Sequence, residues 1–378
     1  MTLTIDIHAL QSLPPSNINR DDTGAPKSAI FGGVLRQRVS SQAWKRAIRK
    51  DFETYLSKED LGTRSKRVVD LVATRVCELD GGYDRAAAEK AAEAVFKAAG
   101  IKTVEPKVRE GEDPRAPETG YLLFLSTGQV EQAARFILDN AGKAPSKKQA
   151  KEILDQGHSI DVAMFGRMVA DAPEYNVDAA VQVAHAIGVH ESEPEFDYFT
   201  AVDDEVDRGG EETGAGMIGT VQMMSSTLYR FATIDVLSLR ENLGDDAQAA
   251  VTAAGSFLRS FIRSLPTGKL NTFANNTLPE LVYVTVREDR PVSLVNAFER
   301  PVRGDEGTSR RRAAARALAQ EARSVAEVYE MEPLASFVLS LSDLGEEMGG
   351  LGESVRLSEL IDRVTAVVRQ RLSEEQGA

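Results

Sequence analysis

Two stretches of this sequence crowd together residues capable of chemistry, and they are opposite in charge. Residues 20–50 hold Arg20, Lys27, Arg36, Arg38, Lys45, Arg46, Arg49 and Lys50 against Asp21 and Asp22. That is 8 − 2 = +6 in a chain of formal charge −13, so the other residues sum to −13 − 6 = −19. Cations at this density suit phosphates, because each Lys or Arg that neutralises one releases a condensed counterion. The overall acidity alone argues against a polyanionic partner, but a cleft responds to its own lining more than to the total. The second stretch is acidic, with Asp203, Asp204, Glu205 and Asp207 close together. Such carboxylates could hold two metal ions for phosphodiester cleavage, which makes a metal-dependent ribonuclease the alternative reading. They sit in one local loop without a partnering His or Lys set, which fits a solvated acidic segment better.

Other catalytic patterns are missing from the sequence. His8, His158, His185 and His190 never form H-E-x-x-H, so core or surface roles are expected for them. His185 and His190, five apart, would fall on opposite faces of a strand. Gly32-Gly33 and Gly209-Gly210 lack the spacing of a P-loop or a dinucleotide fingerprint. The single cysteine, Cys77, leaves no intrachain disulfide and no cysteine-built metal site within one chain. No cofactor, metal or catalytic residue is expected. The first residues, MTLTIDIHALQS, lack a signal-peptide pattern, and no run of about 18 apolar residues occurs. A cytoplasmic protein without membrane contact is the expectation.

The basic stretch needs elements to aim it. Leu3, Ile5 and Ile7 alternate with Thr4, Asp6 and His8, which predicts a half-buried strand ended by Pro14-Pro15. Residues 16–39 read as a long loop that could contain a hairpin, with Arg36 and Arg38 alternating as on a strand. Gly32-Gly33 would let the backbone approach a ligand closely. Ser40 is a plausible N-cap for a helix over 41–56. At helical spacing Gln42, Lys45, Arg46 and Arg49 share one face, and Trp44, Ala47 and Ile48 the other. The like-charged pairs Lys45/Arg49 and Arg46/Lys50 repel by roughly a few tenths of a kcal/mol each, a conflict that a polyanion would relieve. Free N–H groups at the helix start, near Ser40-Ser41, would favour an anion as well.

Further along, residues 60–160 read as a helical insertion, with helices over 86–99 and 129–141 and a charged loop at 102–119. Residues 181–189 read as a strand, 191–219 as a long acidic loop, and 228–237 as a strand. A helix over 247–265, a strand over 281–286 and a helix over 308–331 follow, and Ser358 could cap a last helix over 359–372. Arg310-Arg311-Arg312 reads as a solvated helix face that could meet another subunit. Without its insertions the order is β-α-β-β-α-β, the split βαβ plan, so an α+β, ferredoxin-like (RRM-like) fold is expected. A loop as long as 191–219 is usually functional or disordered. Tyr198-Phe199 amid acids would suit a wedge that unstacks bases.

Several strings, taken together, point to a family. They are residues 30–33 (IFGG), Arg36-x-Arg38, Ser40-Ser41-Gln42 with Lys45-Arg46, residues 162–168 (VAMFGRM), His185-Ala186-Ile187, residues 197–204 (DYFTAVDD), Tyr229-Arg230 and residues 296–299 (NAFE). Spread over most of residues 3–300, they resemble CasC, the backbone subunit of the type I-E CRISPR surveillance complex Cascade. The similarity is weak in 58–150 and after 305. Val34-Leu35 departs from it, standing where basic residues are common in the family.

The resemblance implies a modified ferredoxin-like palm over 1–57 and 160–378, a helical fingers insertion over 58–159 and a protruding thumb at about 191–219. It implies a non-catalytic subunit that binds CRISPR RNA, lines up with further copies of itself and with other Cascade subunits, and leaves bases free to pair with a target DNA strand. Related subunits of other CRISPR types cut RNA, whereas the type I-E resemblance assigns cleavage elsewhere. By position it carries over Arg20, Lys27, Ser40, Gln42, Lys45, Arg46 and Arg49 as palm contacts. Met168, Phe199, Thr200 and Val202 would stand near a displaced base, and Arg300 and Arg303 would add basic contacts. The residues alone leave other roles open: Met164, Phe165 and Met168 at helical spacing would fill a core, and Phe199 could return to one.

Overall fold

The computed structural model describes residues 2–107, 115–201, 217–304 and 307–376. The chain divides into two compact units, Met1–Asp51 with Val183–Thr233 and Gly255–Ala378, and Phe52–Gln182 with Ile234–Ala254. It is an α+β protein.

The first unit is built on a mixed sheet. Its strands, numbered for this sheet, are β1 (Thr4–Ser16), β2 (Ser28–Phe31), β3 (Val34–Val39), β4 (Ala186–Gly188), β5 (Glu195–Ala201), β6 (Met217–Asp235), β7 (Leu281–Arg287), β8 (Ala335–Ser340) and β9 (Glu353–Ser354). They run in the order β9-β8-β7-β1-β6-β4-β3-β2, and β5 lies off this path, paired with the far end of β6. The helices that matter here are α1 (Ser41–Phe52), α2 (Ala247–Arg263), α3 (Arg310–Tyr329) and α4 (Leu357–Gln376). β7, LVYVTVR, is buried along its whole length, as a β-branched run in a sheet covered on both faces should be.

Several expectations need correction. β1 is not half-buried: Thr4, Asp6 and His8 are as enclosed as Leu3, Ile5 and Ile7, because helices and loops cover both sheet faces. Residues 181–189 form two short strands, Val181–Val183 and β4, with His185 between them. The segment after 191 is not simply a loop, because β5 and the start of β6 pair antiparallel from Glu195↔Met223 to Ala201↔Met217. α1 stops at Phe52 rather than 56, and the last helix starts at Leu357, so Ser358 lies inside it.

One buried contact ties the central elements together. Arg230 of β6 lies under the Trp44 ring of α1, its guanidinium carbon 3.7 Å from the ring centroid, and 4.4 Å from that of Phe261 on α2. It donates to the Gln11 Oε1 of β1 at 2.6 Å and to the Phe261 carbonyl. Among the described residues no carboxylate pairs with it. Burial lowers its pKa to about 9, so the charge persists at neutral pH, held by ring faces and two acceptors.

The opposite sheet face carries a second core of Tyr229, Tyr283, Leu294 and Phe298 against Ala315, Leu318 and Ala319 of α3. His8 is sealed into it, 2.9 Å from the Tyr229 hydroxyl and stacked on Phe231 and Tyr283. The Tyr229 oxygen also accepts from the Leu294 N–H, and burial lowers the His8 pKa so that the imidazole stays neutral at neutral pH.

The second unit packs helices Val68–Leu79, Arg85–Ala98, Thr127–Asp139 and Lys147–Leu154 around Val72, Val76, Phe96, Ala133 and Ile137. Reciprocal capping boxes, Ser126 with Gln129 and Ser146 with Gln149, start two of them. Among the described residues, no helix is long and apolar enough to cross a membrane.

His8 and Asp6 give the fold a defined acid response. Burial lowers the His8 pKa from 6.5 to about 3. Between those values the unfolded chain binds the extra proton, so stability is lost as pH falls from 6.5. Burial raises Asp6 to about 6, which works the opposite way as pH rises from 3.8 to 6. His8→Gln, which keeps an acceptor for Tyr229, should remove the first term. Its urea midpoint should fall less than that of the wild type between pH 6.5 and 4, with the slope reduced by up to about 1.4 kcal/mol per pH unit. Parallel curves would show that His8 does not carry this dependence.

Candidate nucleic-acid interface

The basic stretch folds into a loop, a hairpin and a helix face. Asn19 joins them: its side-chain oxygen accepts from Ser40 N–H at 2.8 Å and its carbonyl from Lys27 N–H at 2.9 Å. Arg20, exposed, lies in the turn beyond it, which is shaped by Asp21 Oδ1 accepting from Thr23 and Ala25 N–H at 2.9 and 3.0 Å. Asn17 fixes the turn from behind by donating to the carbonyls of Gly24 and Gln222. Gln222 belongs to the arm formed by β5 and β6, so the Arg20 turn and the base of that arm are held side by side.

α1 shows the predicted two-sidedness. Trp44 and Ile48 are buried, Gln42, Arg46 and Lys50 exposed, and Lys45 and Arg49 half-buried. Burial holds the Lys45 ammonium below its usual pKa. Ser40 caps the helix, its hydroxyl accepting from Ala43 N–H at 3.3 Å, and is itself nearly buried. Lys27, half-buried, accepts Arg38 N–H at its carbonyl, which joins the loop to the hairpin.

The hairpin corrects two expectations. Arg36 is not a phosphate ligand, because its side chain is fully buried. It donates to the carbonyls of Phe31 (3.1 Å), Gly188 (3.0 Å), Phe298 (3.1 Å) and Glu299 (3.2 Å), and burial lowers its pKa. Nor does Gly32 make room for a ligand, although Gly33 beside it has nothing within 4 Å of where a Cβ would sit. Both have positive φ, +60° and +78°, as a two-residue type I′ turn requires, and a Cβ on Gly32 would lie 1.7 Å from the Glu299 carbonyl oxygen. The close approach is to the protein's own chain. Arg38 faces His185, 2.9 Å away, and Ile30 at the hairpin end is 78% exposed.

The candidate wedge residues fall in both units. Met168 lies in the second unit and is 79% exposed. The core expectation for it fails because the helix Ile160–Phe165 ends at Gly166, where φ is +76°. Beyond it the chain is extended: Arg167 and Val169 point inward and Met168 outward. Arg167 donates to the carbonyls of Tyr175 and Leu154, both at 2.9 Å, which pins this segment.

Phe199 does not return to the core. It stands opposite Gly219 on the arm, where a Cβ would lie 2.3 Å from its ring, and is 37% exposed. Thr200 is exposed. Val202 and the acids 203–207 lie outside the described residues. Among those described, no group of three or more His, Cys, Asp or Glu is placed to hold a metal ion. Phe196, which the sequence reading passed over, is the most exposed aromatic of the arm at 67%, with Tyr198 at 63%. Their i, i+2 spacing was the available signal.

Arg300 and Arg303 are exposed on a segment pinned by Val302 N–H donating to the Val189 carbonyl at 2.9 Å. The Arg310–Arg312 cluster is not a free solvated face. Arg312 pairs with Asp343, Glu346 and Glu347, Arg311 with Glu280, and Arg310 reaches His190. His190 is a buried structural residue that accepts Thr227 N–H at 3.1 Å.

Comparison with known proteins places this geometry in context. A family model described as CT1975-like protein matches residues 5–363. Among curated proteins none matches. A solved chain of a "CRISPR RNA-guided surveillance complex, pre-nicking" is 36% identical, with a TM-score of 0.84 over 97% of this chain and 100% of that one. Another, of a "CRISPR RNA-guided surveillance complex", is 32% identical, with a TM-score of 0.73 over 96% and 99%.

The buried and the exposed arginines should separate experimentally. Arg36→Met leaves four carbonyls without their donor and should cost about 3 kcal/mol or more of stability in urea unfolding. Arg46→Ala should change stability by no more than about 0.5 kcal/mol and, for single-stranded RNA, reduce the log–log salt slope by about 0.7. An unchanged slope would remove Arg46 from the interface.

Proposed function

This chain belongs to the CT1975-like protein family, and on that premise we propose that it is a non-catalytic, RNA-binding scaffold subunit of a type I-E CRISPR surveillance complex. Copies line up along the spacer of a CRISPR RNA, beside other Cascade subunits, and present bases to an invading DNA strand in antiviral defence. The observation that carries this reading is the match at 36% identity across nearly the whole of both chains to a chain of an RNA-guided surveillance complex. A cytoplasmic setting goes with it.

The fold supports the palm of the proposal. β1, α1, β4, β6, α2 and β7 follow the β-α-β-β-α-β plan, and their strands lie side by side as β7-β1-β6-β4. The helical stretch over 58–159 serves as the fingers, and the arm within 191–219 as the thumb. In the palm, Arg20, Lys27, Gln42, Lys45, Arg46 and Arg49 take the phosphates, with Ser40 setting the helix start. Phe199 and Thr200 of the arm stand near a displaced base, the resemblance adds Met168 and Val202 as further RNA contacts, and Arg300 and Arg303 add positive charge.

A protein that holds guides must accept any spacer. Backbone contacts and stacking allow this, because neither reads a base edge. The acidity of the rest of the chain limits stray binding of nucleic acid away from the basic face.

Purifying the protein with guide RNAs of two spacer lengths and weighing the assemblies tests the scaffold. The copy number should rise with spacer length; a constant number would contradict it. The same RNA should stay intact with Mg²⁺. Divalent-dependent cutting lost in Asp203→Ala would support the ribonuclease instead.

A further inference from the structure

We propose that the arm carries a second base-stacking surface, formed by Phe196 and Tyr198 on the face opposite Phe199; this rests on the RNA-binding reading above. Side chains of a strand alternate between its faces. The register therefore sorts the arm cleanly. One face holds Glu195, Asp197 and Phe199, with Val221 and Gly219 across from the last two. The other holds Phe196, Tyr198 and Thr200, with Gln222 and Thr220 opposite Phe196 and Tyr198.

The two faces differ in what they offer a polyanion. Both carboxylates of this strand share the Phe199 face, and the Phe199 ring is laid down over Gly219. The Phe196 face has no charge among these residues, two largely exposed rings, and an amide and a hydroxyl beside them. A single strand carrying one charge per nucleotide meets less repulsion there.

Spacing favours the same occupant. Residues two apart on a strand are about 6.6 Å apart, roughly twice the thickness of a stacked base, so one base fits between the two rings. The phosphate has a nearby partner as well, since Asn17 links Gln222, across from Phe196, to the turn that carries Arg20. Stacking on π-faces accepts any base, as a spacer-independent site must.

The test uses the full chain and an unstructured RNA carrying a fluorescent purine analogue that is quenched on stacking. Phe196→Ala with Tyr198→Ala should weaken binding about ten-fold and relieve the quenching, while the salt slope stays unchanged, because stacking releases no counterions. Phe196→Trp with Tyr198→Phe should restore both. Thermal melts of each variant separate lost stacking from lost folding; at exposed positions the melting temperature should not move.

Wild-type affinity and quenching in the double alanine variant, with the slope still reduced by Arg46→Ala, would overturn this inference and leave the RNA-binding reading standing. Intact affinity and quenching with fewer copies per RNA would overturn it too, giving the face to protein contact. No RNA binding by the wild-type chain would overturn both.

Discussion

The structure depends on a buried cation that no carboxylate among the described residues neutralises. Arg230 sits where β6, β1, α1 and α2 meet, with Trp44 and Phe261 against its faces and Gln11 and a carbonyl at its edges. A bare buried charge would be costly, and the two ring faces and two acceptors offset that cost. The geometry therefore leaves α1 little freedom to rotate. Trp44 has to point in, and helical spacing then turns Gln42, Arg46 and Lys50 out. The orientation of the basic face is a consequence of a core contact.

Arg36 shows the other use of a cation. Its four carbonyl acceptors lie on the hairpin, on β4 and on residues 298–299. They weld the hairpin to the sheet edge, with Gly32 seated against Glu299. Neighbouring arginines of one short strand thus serve different ends, Arg36 in architecture and Arg38 towards the surface beside His185. A tally of positive charge treats them alike; the carbonyls that surround one of them separate them.

Charge is partitioned again on the arm. Putting Glu195 and Asp197 on one face leaves the other uncharged among the described residues without changing the composition of the segment. In the second unit, Met168 is turned outward by the end of its helix at Gly166 and by the anchoring of Arg167. In each case a single backbone event, a register or a helix stop, decides which side chain is offered to a ligand.

The sequence by itself determined the periodic parts. The presence of strands starting near 4 and 281, of helices starting near 41, 247 and 310, and the split between Trp44/Ile48 and Gln42/Arg46 follow from local spacing and capping, whereas the first strand runs through Pro14-Pro15 to Ser16 instead of ending there. Only tertiary structure decided that Thr4, Asp6 and His8 are interior, that Arg36 is structural, that Arg312 pairs with acids more than thirty residues away, and that Phe196 rather than Phe199 is the more open aromatic. The reason is physical. Helical and strand periods fix which side chains share a face, and they are local. Whether a face is covered, and whether a cation meets a carbonyl, a carboxylate or water, depends on partners remote in the chain. Burial and charge pairing are long-range properties, and they decide which of the basic and aromatic residues legible in the sequence reach the surface.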